Sequence, residues 1–207
     1  MPRTVRNVPE QGYIHVMCRG NNKRKLFFRP KDYKLFWKMA LLFKQTEKVK
    51  IYHYALMPNH FHFMVGVDDN SDLAKFIQRL SLTYYYYFKK RHQCVGHLWQ
   101  GRFKSKVIDD EAYYLQCGKY IELNPVRARL ISKPEAYPFS SYRVYVLGVA
   151  DKLVDIDPYY IELGSSIIIR QQFYLKTIIN ENIKKKIDCT HQNEEVQSDL
   201  LQPIDYS

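Results

Sequence analysis

No apolar run in the 207-residue sequence comes near the ~20 residues that a membrane-spanning helix requires, and the N-terminus has no secretory h-region. A soluble, cytoplasmic protein with no membrane partner is expected. No two cysteines form a C-x-x-C pair. Cys18, Cys94, Cys117 and Cys189 lie far apart, which excludes a zinc ribbon and gives no disulfide framework, so reduced, buried thiols are expected. No internal repeat is present. Acid is scarce: 21 Asp and Glu face 32 Lys and Arg, a formal net charge of +11. The last twenty residues, Asp188 to Ser207, hold five acids and no Lys or Arg, so residues 1–187 carry +16. A body this basic calls for a polyanionic partner.

What is present is a core-forming composition, 46% hydrophobic, rich in tyrosine at 18 residues. Most of these rings are expected to pack inside, and some to offer platforms on which unpaired bases stack. Gly12 to Arg19 alternates as a strand. Pro30 to about Glu47 has helical spacing. Lys50–Leu56 and His60–Val67 read as a hairpin turning at Met57-Pro58-Asn59. Ser71 is placed to cap a helix reaching about Arg91. A strand from about Leu98 to Ile108 follows, then a helix from about Glu111 that Pro125 should stop. The order β-α-β-β-α-β plus one helix gives an α+β fold: a ferredoxin-like (RRM-like) split βαβ antiparallel sheet with two helices on one face. Beyond it, Pro134 to Tyr142 reads as a loop with a possible Ser cap. Asp157 to Leu163 is a short helix stopped by Gly164, and Ser165 or Ser166 can cap another through about Lys186. The expected division is a domain over 1–150, a helical extension over 151–187 and a disordered acidic tail over 188–207.

Two stretches carry chemistry. On the third strand, His60 and His62 share one face while Phe61 and Phe63 take the other, and two imidazoles on one face can grip one divalent ion. Far downstream, Tyr120 and Asn124 stand four residues apart on a helix, presenting a phenol and a carboxamide together. Oxygen and imidazole donors without thiolate suit Mg²⁺ or Mn²⁺. Should the His pair face away from the first two helices, the third can cross that face and bring Tyr120 to it. The run Tyr84 to Tyr87 offers rival phenols, but four in a row on a helix point in all directions. Arg102, Lys104 and Lys106 alternate and can track phosphates together. Arg19, Lys23 and Arg24 form a second basic cluster, and Trp99 is a candidate for either stacking or the core.

His60-Phe61-His62, with a helical Tyr four residues before a polar oxygen donor, resembles the single-tyrosine HUH nucleases. Tyr120-Ile121-Glu122-Leu123-Asn124-Pro125-Val126-Arg127-Ala128 resembles the REP-associated tyrosine transposases in particular, as do the Gly96-to-Lys104 segment and Tyr137-Pro138-Phe139-Ser140-Ser141-Tyr142, where Tyr137 and Phe139 stand in Trp places. The resemblance implies a single-strand DNA transposase that recognises a hairpin and cuts beside it. Tyr120 would be the nucleophile, leaving a 5′-phosphotyrosine, with His60, His62 and Asn124 holding the metal. Asn124 stands where the insertion-sequence relatives usually have Gln. Arg127, in the same string, joins the candidate DNA contacts. The extension after residue 150 favours a monomer over the helix-exchanged dimer of simpler relatives. A catalytically idle hairpin-binding protein and a hydrolytic metallonuclease are the alternatives.

Overall fold

The computed structural model describes residues 11–69 and 71–181. Four antiparallel strands, β1 (Gly12–Arg19), β2 (Lys50–Met57), β3 (His60–Val67) and β4 (Lys104–Ile108), lie in the order β2-β3-β1-β4. The first and third strands are therefore central, as the split βαβ arrangement requires. Alternation along each strand sorts the side chains onto two faces. On one face Val16, Cys18, Leu56, Phe61, Phe63 and Val65 meet α1 (Pro30–Thr46) and α2 (Leu73–His92) in the main core. Phe36, Phe61, Phe63 and Phe76 are wholly excluded from water there, each worth roughly 1.5–3 kcal/mol of burial. On the other face Ala55, Met57 and Met64 receive Cys117 and Ile121 of α3 (Glu111–Arg127). The third helix thus lies across the face that α1 and α2 leave open.

Three local expectations are corrected. Ser71 does not cap α2: its hydroxyl donates to the carbonyl of Lys48 at 2.7 Å, and the Asp72 carboxylate takes the cap by accepting from the Lys75 amide at 2.8 Å. Pro125 does not stop α3, which runs to Arg127. A proline so near the end removes only one intrahelical donor, and the turn closes through the Ala128 amide on the Asn124 carbonyl at 2.9 Å. β4 begins at Lys104 rather than Leu98, because the chain turns at Gly101, whose φ of 65° is left-handed.

β2 is an edge strand and would present unpaired backbone. The later chain covers it. The Leu56 amide donates to Phe139 O at 2.9 Å, Ser141 N to Tyr54 O at 3.0 Å and Asp155 N to Ile51 O at 2.7 Å. Phe139 stacks on Tyr33 with centroids 4.0 Å apart, and Leu153 is buried in the main core. The helices α4 (Tyr142–Leu147), α5 (Pro158–Glu162) and α6 (Ile167–Glu181) close a smaller core of Leu123, Tyr142, Tyr145, Tyr160 and Tyr174 against α3. The Ser166 hydroxyl accepts from the Ile169 amide at the start of α6. The acidic tail 188–207 and Cys189 lie outside the described residues. Among those described, no helix is long and apolar enough to cross a membrane.

Candidate active site

Because β3 alternates, His60 and His62 both project onto the α3 face, their rings 4.9 Å apart and nearly perpendicular. From α3, the Tyr120 ring stands edge-on to His62 at 5.8 Å, and Asn124 Nδ2 lies 3.4 Å from His62 Nε2. The four residues, 58 or more positions apart across the two elements, are brought together at one spot. Each imidazole has one nitrogen held from behind. His60 Nδ1–H donates to Asn59 Oδ1 at 2.6 Å, and His62 Nδ1 meets His15 Nε2 at 2.9 Å. His60 is pushed down to about 3, first by burial and then by the Arg19 charge, against a weaker opposing hydrogen bond to Asn124. It is therefore a neutral imidazole with its electron pair available across the ordinary pH range.

The donor set fits a divalent metal. His62 keeps Nε2 toward Asn124, and a half-turn of the Asn124 carboxamide would replace its NH₂ by the oxygen that a hard ion needs. No carboxylate joins these donors: among the described residues no cluster of three His, Cys, Asp or Glu is placed to hold a metal. The candidate donors are two imidazoles and an amide.

Residues 9–124 match the model of the "Transposase IS200 like" family. The chain belongs to the IS200-like transposase family. A solved REP-associated tyrosine transposase bound to a REP hairpin is similar in fold, at TM-score 0.62 and 18% identity over 76% of this chain and 93% of that one. A transposase described from Deinococcus radiodurans (TM-score 0.41, 13% identity, 58% and 96% covered) and the tRNA(His) guanylyltransferase of Saccharomyces cerevisiae (0.44, 12%, 83% and 79%) are more remote. No curated protein matches the chain.

The basic residues of this transposase separate into two groups. Arg19 pairs in register with His60, Lys104 with Met17 and Lys106 with His15, so all three belong to the Tyr120 face. Lys106 Nζ sits 4.1 Å from the Tyr113 ring centre, and the Arg127 guanidinium 5.0 Å from that of Tyr120. Lys23 and Arg24 occupy the loop beyond β1, exposed, and Arg102 lies just before β4. Trp99 packs on the other face, against Phe61 and Tyr84. Of the tyrosine run, Tyr84 is core and donates to Leu26 O at 2.8 Å, and Tyr87 donates to Asp32 at 2.6 Å.

Sequence reasoning missed His15 and His53. His15 belongs to no recognisable motif, and only the register of β1 on β3 reveals it. His53 on β2 is fully buried between two carboxylates, Glu122 Oε1 at 3.0 Å and Asp157 Oδ2 at 2.8 Å. Burial opposes its charge, but hydrogen bonds to Asp157 and Glu122 outweigh that and hold the imidazole up at about 9. Glu122 also accepts from Ser141 Oγ at 2.7 Å and Tyr174 Oη at 3.0 Å, and Asp157 from Tyr114 Oη at 2.9 Å. This buried network ties the helix that carries Tyr120 to both β2 and the C-terminal helices. Gly118 makes room for it: a Cβ there would meet the His53 ring at 2.8 Å.

Proposed function

We propose that the chain cleaves and rejoins single-stranded DNA beside a hairpin, with Tyr120 as nucleophile. The observation that carries this reading is the convergence of the Tyr120 phenol with His60, His62 and Asn124 on one sheet face, in a chain of a transposase family. Tyr120 Oη attacks phosphorus; the new bond is a 5′-phosphotyrosine, and the bond to the 3′-oxygen breaks to leave a free hydroxyl. The phenol gives up its proton, and the departing oxygen takes one up. Because the ester is kept in the protein link, a 3′-hydroxyl can reverse the step without ATP.

A free phenol with a pKa near 10 is a weak nucleophile at pH 7, so help is required. Arg127 places positive charge beside the ring whose oxygen must shed its proton. His60, His62 and Asn124 would hold Mg²⁺ or Mn²⁺, which supplies charge neutralisation at the scissile phosphate. Asn59 and His15 fix the two imidazoles so that their remaining nitrogens face the same centre. Arg19, Lys104 and Lys106 line the approach and suit a single-stranded backbone. The packing of α3 on β2 and β3 of its own chain supports a reading in which Tyr120 serves its own histidines and the chain acts as a monomer.

The test is a denaturing gel of the protein with labelled hairpin DNA bearing single-stranded flanks, drawn from repeats near its gene, with Mn²⁺ or EDTA. A slow covalent band with wild type and Mn²⁺, absent with EDTA and in Tyr120→Phe, supports the proposal. Cut DNA without a covalent band points to hydrolysis, and tight binding with neither product to an idle hairpin-binding protein.

A further inference from the structure

A second concave site lies across the sheet from Tyr120. It is a groove of about 610 Å³ between α2 and the segment before β4, lined by Asn21, Leu82, Tyr85, His97, Trp99 and Gly101 among others. Its aromatic wall is rigid. The Trp99 indole N–H donates to Ser81 O at 2.9 Å, and the ring packs on Phe61 and Tyr84, leaving its remaining surface to the groove. Leu82 is half exposed there, an apolar surface with no core role. Lys23 and Arg24 lie just beyond Asn21 in the chain and Arg102 next to Gly101, and all three are exposed. A fixed indole and a phenol with a few polar groups, rimmed by cations, form the kind of surface on which a base stacks while its backbone is held.

The groove is tied to the catalytic edge. Gly20 N donates to Asn59 O at 2.8 Å, Asn21 N to Leu98 O at 2.8 Å and Gln100 N to Arg19 O at 2.8 Å. The segments carrying Arg19, Asn59 and Trp99 thus meet at the end of the sheet where His60 begins β3. A strand with its phosphate at Tyr120 reaches the groove by crossing this edge, past Arg19. We propose that the groove takes one unpaired base of the DNA strand being cut and so selects the nucleotide flanking the cut. The inference rests on the DNA-cleaving reading and names a subsite of it.

The experiment places a single abasic residue at each flank position in turn and measures hairpin affinity by anisotropy in EDTA, for wild type and Tyr85→Ala. Tyr85 is half-buried in the groove wall on α2, across the sheet from the histidines, so the bare hairpin should bind both proteins equally. One flank position is expected to cost wild type about tenfold, the worth of one stacked base, and the variant less than about twofold. Losses equal in both proteins at every position would overturn the subsite. A second readout uses Trp37→Phe, which leaves Trp99 as the sole indole of the two. Flanked hairpin should quench its emission and the abasic version should not; emission unchanged by either would also overturn it. If the position-specific loss appears but no Tyr120 adduct forms, the cleavage chemistry fails and the base site stands. An adduct without the position-specific loss does the reverse.

Discussion

Replacing His53 by Ala tests how firmly the Tyr120 helix is held. The imidazole is 1% exposed, and its removal leaves Glu122, fully buried, facing Asp157, at 3% exposure, with no cation between them. Breaking a buried ion pair from one side costs about 3–5 kcal/mol, because the partner charge remains buried. Both carboxylates keep hydroxyl donors, from Ser141 and Tyr174 on one and Tyr114 on the other, which favours the lower end. In a chain of this size that corresponds to a fall in Tm of roughly 6–20 °C, measured by circular dichroism at pH 6. The pH dependence follows from the raised imidazole. Its ordinary value is 6.5 and its folded value about 9, so the stabilisation is complete below about pH 6.5 and lost as pH rises through about 9. The gap between wild type and variant should therefore shrink between pH 7 and 9.5. A variant within 1 kcal/mol of wild type at pH 6, or a gap that widens with pH, would refute the reasoning.

Gly118→Ala should push the His53 ring off its carboxylates and lower the urea midpoint by about 1–3 kcal/mol of stability; an unchanged midpoint would deny the close packing. His15→Phe keeps the ring but removes the partner of His62 Nδ1. Mn²⁺-dependent cleavage should fall about 10- to 100-fold with hairpin affinity retained, and full activity would show that His62 needs no support. Lys104→Gln and Lys106→Gln should each reduce the slope of log affinity against log salt by about 1 for flanked hairpins; an unaltered slope would remove these residues from the DNA path.

Strand alternation made the His60–His62 face legible, and helical spacing paired Tyr120 with Asn124, because both signals are local. The hairpin at Met57-Pro58-Asn59 followed from two strand patterns joined by a short turn, and the central placement of β1 and β3 from the order of elements. What stayed hidden depends on register or on tertiary capture. His15 matters only because β1 sets it beside His62, and His53 only because Glu122 and Asp157, 69 and 104 positions away, close on it. The sequence offered a Ser cap somewhere in residues 134–142; Ser141 does stand at the start of α4, yet its hydroxyl serves Glu122, a choice that the local sequence does not encode. The role of residues 139–155 in covering β2 was equally unreadable, since edge protection is a property of the assembled sheet. Trp99 fitted two readings in the sequence, and the structure makes it a core residue with one flank in a groove.

The most direct test of the central claim is mass spectrometry of the trapped protein–DNA product after nuclease and trypsin digestion. Cleavage after Lys119 and Arg127 isolates residues 120–127, which contain one tyrosine. The account predicts this peptide carrying a nucleotide 5′-phosphate on Tyr120, formed only with Mn²⁺ or Mg²⁺ present. A nucleotide on any other residue, or trapped DNA with residues 120–127 unmodified, would contradict it.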